Sequence, residues 1–264
     1  MNRSAPTLDW CRHCLGENLP MTLEHLPPKS ADNTDPVRRL DDAGAILAEF
    51  AEGHAIPVLC NPCNKGASDR GLPVEYKLWR LEVVEAIKEH TAREAVGLSE
   101  YNIWRTDSVV EVDHGYNLHP GRIARQLLGM LLAIQDDPSF SRDNPKLRDA
   151  YFDDGEDWSI SPMALYVALA NTNYRYFSSE LMGVTLDLST GDAVVKPMRV
   201  WSFSPFIAVL TEDGSDPPFP AMRVDEWLTH PVSYHFRKKD RHAGYPIAPR
   251  FNPLVSMMYG QSPY

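Results

Sequence analysis

Four cysteines govern what this chain can fold into. Cys11 and Cys14 form one C-x2-C pair, Cys60 and Cys63 form a second, and 45 residues lie between the pairs. In a chain whose first residues, MNRSAPTLDW, contain no apolar signal core, this spacing fits a tetrahedral Zn2+ site better than disulfides. Each C-x-x-C turn presents two thiolates to one metal-sized opening. A redox pair would use one C-x-x-C and leave the other two thiols idle. A centre of four thiolates is closed to substrate, so the zinc is expected to be structural and to stand in for a missing core.

The rest of the chain is long enough to bury a core of its own. Its 264 residues are 43% hydrophobic, room for one large domain or two modest ones. A formal net charge of −10 excludes a global positive field, so any polyanion site must be a local basic patch or a metal centre. The longest aliphatic run, LLGMLLAI at 127–134, falls far short of the roughly 20 residues that a membrane span needs. A cytoplasmic chain with no membrane partner is expected.

Periodicity divides the chain further. Residues 1–70 show little of it, apart from an expected short helix within DDAGAILAEFAEG at 41–53. Val74, Leu78, Leu81, Val84, Ala86, Ile87 and Val96 recur at helical spacing, with Gly97 as a stop, and predict a helix over 74–96. A second helix is expected over 121–135, entered through Pro120. From about 158 the runs ALYVALA, YRYFSS, GVTLDL, AVVKPMRVWSF and FIAVL read as strands, with a hairpin in GVTLDLSTGDAVV. The fold class is therefore α+β. The expected division is an N-terminal zinc unit with its following helix over 1–97, and a C-terminal α+β domain over 98–264, helices first and then mainly antiparallel sheet. A boundary within 97–118, or at the acidic DDGED of 153–157, satisfies the same pattern.

Between the cysteine pairs lies LEHLPPKS, which sets Glu24 directly before His25, and Asn64 follows the last cysteine immediately. A compact zinc knot would bring these three side chains to one cleft. A carboxylate and an amide oxygen suit Mg2+ or Mn2+, and an adjacent imidazole can take a proton from water. Together they make the minimum kit for one-metal phosphodiester hydrolysis. Each has a plainer reading as well: Glu24 and His25 as a solvated strand end, Asn64 as a helix N-cap, His54 as a surface or packing histidine.

C-x2-C, then LEHLPPKS, then C-x2-C-N-K-G resembles the HNH endonucleases, the ββα-metal, treble-clef family. It is similar to the zinc-stabilised phage junction resolvases among them, in which an asparagine directly follows the second cysteine pair. The likeness covers roughly residues 8–72. It implies His25 as general base, Glu24 and Asn64 as ligands of a catalytic divalent metal, and Cys11, Cys14, Cys60 and Cys63 as the structural zinc site. Glu24 stands where many relatives have aspartate. The only polar candidate for the middle position of the motif is His54. Cleavage of DNA to 3′-hydroxyl and 5′-phosphate ends is implied, with restriction or anti-phage defence as the setting. The alternative is a zinc-bound module that grips nucleic acid or protein without cutting.

Lys29, Lys65 and Arg70 are candidate phosphate contacts near this centre, with Asp69 as a turn cap or a holder of metal-bound water. In SYHFRKKDRHAGY at 233–245, Arg237, Lys238, Lys239 and Arg241 are interleaved with aromatic residues, a composition suited to a nucleic-acid edge. DNA is the expected partner, RNA remains open, and the C-terminal part is expected to bind target, dimerise or dock a partner protein.

Overall fold

The computed structural model describes residues 10–25, 28–31, 33, 35–53, 55–95, 118–169, 175–186, 193–212, 214–217, 219, 221–235 and 250–251. Helix and sheet are mixed. Strand β1 (Met21–His25) pairs antiparallel with β4 (Ala55–Cys60), and helix α1 (Asn61–Asp69) leaves β4 without a loop. Pro62 supports that abrupt entry, because the first turn of a helix has no partner for the N–H that proline lacks.

Between β1 and β4 the chain makes an excursion into a different sheet. Strands β2 (Val37–Leu40) and β3 (Ile46–Phe50) form an antiparallel hairpin. The helix expected within 41–53 is thus a turn and a strand. Asp41 decides it: its carboxylate accepts from the backbone of Ala43 at 3.0 Å and Ala45 at 2.7 Å, and Gly44 takes the left-handed conformation at φ 84°. An aspartate closing on its own turn reverses the chain before a helix can nucleate.

The second sheet also contains β5 (Ala164–Leu169), β6 (Arg175–Leu186), β7 (Ala193–Phe203), β8 (Phe206–Thr211), β9 (Met222–Arg223) and β10 (Arg250–Phe251). Its order is β10-β5-β8-β7-β6-β2-β3, with β9 beside β5. The hairpin read from 183–195 is present, with Val184 opposite Val195 and Leu186 opposite Ala193. Strand β2 runs parallel to β6, with Val37 opposite Arg175, so the excursion welds the cysteine-rich segment to the large sheet.

Helix α3 (Pro120–Ala133) is buried on every side, as its nearly continuous apolar run requires. It packs against the long helix α2 (Leu72–Ala95) and against β7 and β8. Gly129 lets Tyr151 of helix α5 (Pro145–Phe152) approach, since a Cβ there would stand 2.5 Å from the ring. The short helix α4 (Pro138–Asp143) precedes α5 and is capped by the Asp137 carboxylate, 2.8 Å from Ser139 N.

Helix α2 forms where the spacing predicts it, but most of the residues that reveal it are not those it buries. Leu72, Tyr76, Trp79 and Val83 enter the core, and Trp79 stacks on Phe206 at 4.1 Å between centroids. Val74, Leu78 and Leu81 face outward. Tyr76 and Trp79 offer more apolar area than the aliphatic residues opposite them, so burying the aromatic side yields the larger stabilisation.

Candidate metal centres

The four cysteines converge at the base of the β1–β4 pair. Cys11 and Cys14 sit in a tight turn closed by Leu15 N to Cys11 O at 2.8 Å and Cys11 N to Gly16 O at 2.9 Å. Arg12 N reaches Val58 O at 2.9 Å, which sets this turn beside the end of β4, while Cys60 closes β4 and Cys63 lies in the first turn of α1. All four sulfurs fall within 4.8 Å of one another. Sulfurs bound to one Zn2+ at about 2.3 Å lie about 3.8 Å apart at tetrahedral angles. Cys14 Sγ and Cys60 Sγ are 3.8 Å apart. The donor set and its spacing fit zinc.

Electrostatics within the cluster point the same way. The Cys63 thiol donates to Cys11 and backbone amides also face that sulfur, Cys60 N at 3.3 Å among them, so the Cys11 thiol is pulled down to about 4. Cys63, holding the shared proton beside buried sulfurs, is pushed up. Four thiolates at this separation repel one another, and a divalent cation is what would let all of them ionise.

The turn is braced by the rest of the fold. Arg12 donates to Ala133 O and His13 Nε2 lies 2.9 Å from Gly129 O, so both reach the C-terminal carbonyls of α3. A cation is favoured at that end of a helix. From α5, Arg148 donates to His13 O and Cys14 O, each at 3.1 Å. Burial pushes the His13 imidazole down to about 4, which keeps it neutral.

Near the cysteines, β1 and α1 contribute to a small cleft whose other walls come largely from α3. Glu24 and Asn64 both line it, with Leu59, Tyr151 and Gln126 among the other walls. Thr22 orients the amide. Its hydroxyl donates to Leu59 O at 2.9 Å, so its lone pairs must accept from Asn64 Nδ2 at 3.1 Å. The remaining end of that amide is the oxygen, the atom a hard cation requires. Removal from water pushes the Glu24 carboxyl up to about 7. A carboxylate partly withdrawn from water gains from a cation partner.

His25 is the next residue along β1 and is not part of this lining. Its Nδ1 lies 3.1 Å from Gly53 O and 3.4 Å from Asn33 Nδ2. A carbonyl only accepts and an amide nitrogen only donates, so Nδ1 can bond to one of the two; the shorter contact, to Gly53 O, goes with the ring proton on Nδ1 and the lone pair on Nε2. The structure thus brings two of the three expected side chains, Glu24 and Asn64, into one cleft, and holds the third, His25, through Gly53 in the turn that precedes β4. Compared with models of protein families, with curated proteins and with solved structures, the chain matches none.

Of the expected phosphate contacts, Lys29 is exposed on a short 3-10 turn, Lys29–Ala31. Lys65 pairs with Asp69 one helical turn on, and both are exposed. Arg70 points inward: it donates to Tyr151 O, lies 3.4 Å from Asp154 and sits 4.8 Å over the Tyr151 ring. Its charge supports the α1–α5 contact. His54, Arg237, Lys238, Lys239 and Arg241 lie outside the described residues. Thr22 and Gly53, the groups that hold Asn64 and His25, have no signature in the sequence because each acts through a tertiary contact.

Proposed function

We propose that the chain is an HNH-type endonuclease that hydrolyses phosphodiester bonds in DNA with a divalent cation, its N-terminal unit a zinc-stapled ββα-metal, treble-clef centre. The observation that supports this best is the convergence of the Glu24 carboxylate and the oriented Asn64 amide on one cleft, beside an imidazole whose Nδ1 proton is fixed by Gly53 O. Glu24 and Asn64 would hold Mg2+ or Mn2+, which when bound supplies charge to the scissile phosphate and the leaving oxygen. His25 Nε2 would take the proton from the attacking water. The four cysteines would hold Zn2+, fixing α1 against β1 and thereby Asn64 against Glu24. Products would carry 3′-hydroxyl and 5′-phosphate ends, and restriction or anti-phage defence is the setting that the family likeness offers.

A zinc-bound module that grips nucleic acid or protein without cutting is the second reading. The net charge of −10 and the inward-turned Arg70 favour it. Plasmid nicking in Mg2+ or Mn2+ separates the two. Wild-type protein should nick and His25→Ala should not; equal behaviour of the two proteins removes the enzyme reading.

A further inference from the structure

Helix α2 has a second apolar face that the core leaves exposed. Val74, Leu78 and Leu81 are 62%, 48% and 46% exposed. They follow one another at intervals of four and three residues, and Glu85 and Lys88 continue the same series. This is heptad spacing, which draws one seam along a helix. The buried residues Leu72, Tyr76, Trp79 and Val83 occupy the opposite side.

We propose that this seam joins a second copy of the chain, the two α2 helices lying antiparallel about a two-fold axis at Leu81. A two-fold interface must be complementary to itself, and residues equidistant from the axis must suit one another. Here they do. Leu81 meets its own copy, and Leu78 meets the partner subunit's Val84. Lys77, exposed one turn before Leu81, lies level with the partner subunit's Glu85, exposed one turn after it. Val74 is covered by the methylene stem of the partner subunit's Lys88. A parallel pair would set Lys77 against Lys77 and Glu85 against Glu85, so the charges select the antiparallel direction. Among the described residues of one chain Glu85 pairs with Lys88 at 3.3 Å, an exposed pair of little value that leaves its carboxylate able to reach across the seam.

The experiment is sedimentation equilibrium of the full chain, with far-ultraviolet circular dichroism to confirm folding. Wild type should be dimeric over roughly 10–100 μM. Leu81→Lys should be monomeric, and Lys77→Glu should weaken the dimer at least about tenfold by setting two acids together. Combining Lys77→Glu with Glu85→Lys should restore wild-type affinity, a rescue that no general loss of stability would produce. A monomeric wild type, a dimer indifferent to Leu81→Lys, or a double variant no tighter than Lys77→Glu alone would overturn the proposal.

Discussion

Asn64 on α1 donates to Thr22 on β1 across 3.1 Å, and through Thr22 it is tied to Leu59 O of β4. Three of the elements that line the cleft are thus connected by one hydrogen-bond relay, which turns the amide oxygen away from the strand. Thr22→Val removes the relay and keeps the side-chain volume. Nicking should fall about tenfold, within the range seen when a group that orients a metal ligand is lost. Asn64→Ala should cost about a hundredfold or more. Zinc content, read by elemental analysis, should stay at the wild-type value in both; its loss would make Asn64 architectural.

Cation binding should depend on the Glu24 proton. Its folded-state value of about 7 lies above the ordinary 4.5. Without a divalent cation, the stability associated with the protonated form is complete below 4.5 and is lost as pH rises through about 7. Binding of Mn2+ must displace that proton, so its affinity should weaken about tenfold per unit below pH 7 and level off above it. Calorimetric titration of Mn2+ from about pH 5.5 to about pH 8.5 measures the slope. In Glu24→Gln the slope should vanish and binding should be weak throughout.

Zinc should be held at about one ion per chain. Cys63→Ser should lower that content and, because Arg12, His13 and Arg148 link the cysteine turn to α3 and α5, should lower the thermal midpoint of the whole protein. A scanning-calorimetry trace unchanged in Cys63→Ser would remove the structural role from the cluster.

Arg125 is fully buried and donates to four carbonyls, Gly121 O at 3.0 Å, Asp153 O at 2.9 Å, Gly155 O at 2.8 Å and His230 O at 3.1 Å. Arg125→Met keeps the stem and leaves three loop carbonyls and one helical carbonyl without this donor. A loss of about 3–5 kcal/mol in urea unfolding is expected, because buried acceptors stripped of a charged partner retain their desolvation cost.

The sequence by itself determined the features whose physics is local. Two C-x-x-C turns specify a metal-sized opening whatever surrounds them, and the apolar run of 121–135 specifies a buried helix because no orientation of it hides fewer than all its sides. The 183–195 hairpin follows from alternation broken by a polar turn. Tertiary structure decided the rest. Helix α2 has apolar residues on two faces, and only the fit of Trp79 against Phe206 selected which one went inside. The segment at 41–53 became a turn and strand once Asp41 closed on its own backbone and β2 found β6, a pairing more than a hundred residues away in the chain. Glu24 and Asn64 came to line one cleft, and His25 met Gly53, because β1 lies beside β4 and α1 follows β4 directly. Residue type fixes what a group can do chemically, but its partner is set by long-range pairing that no local pattern encodes.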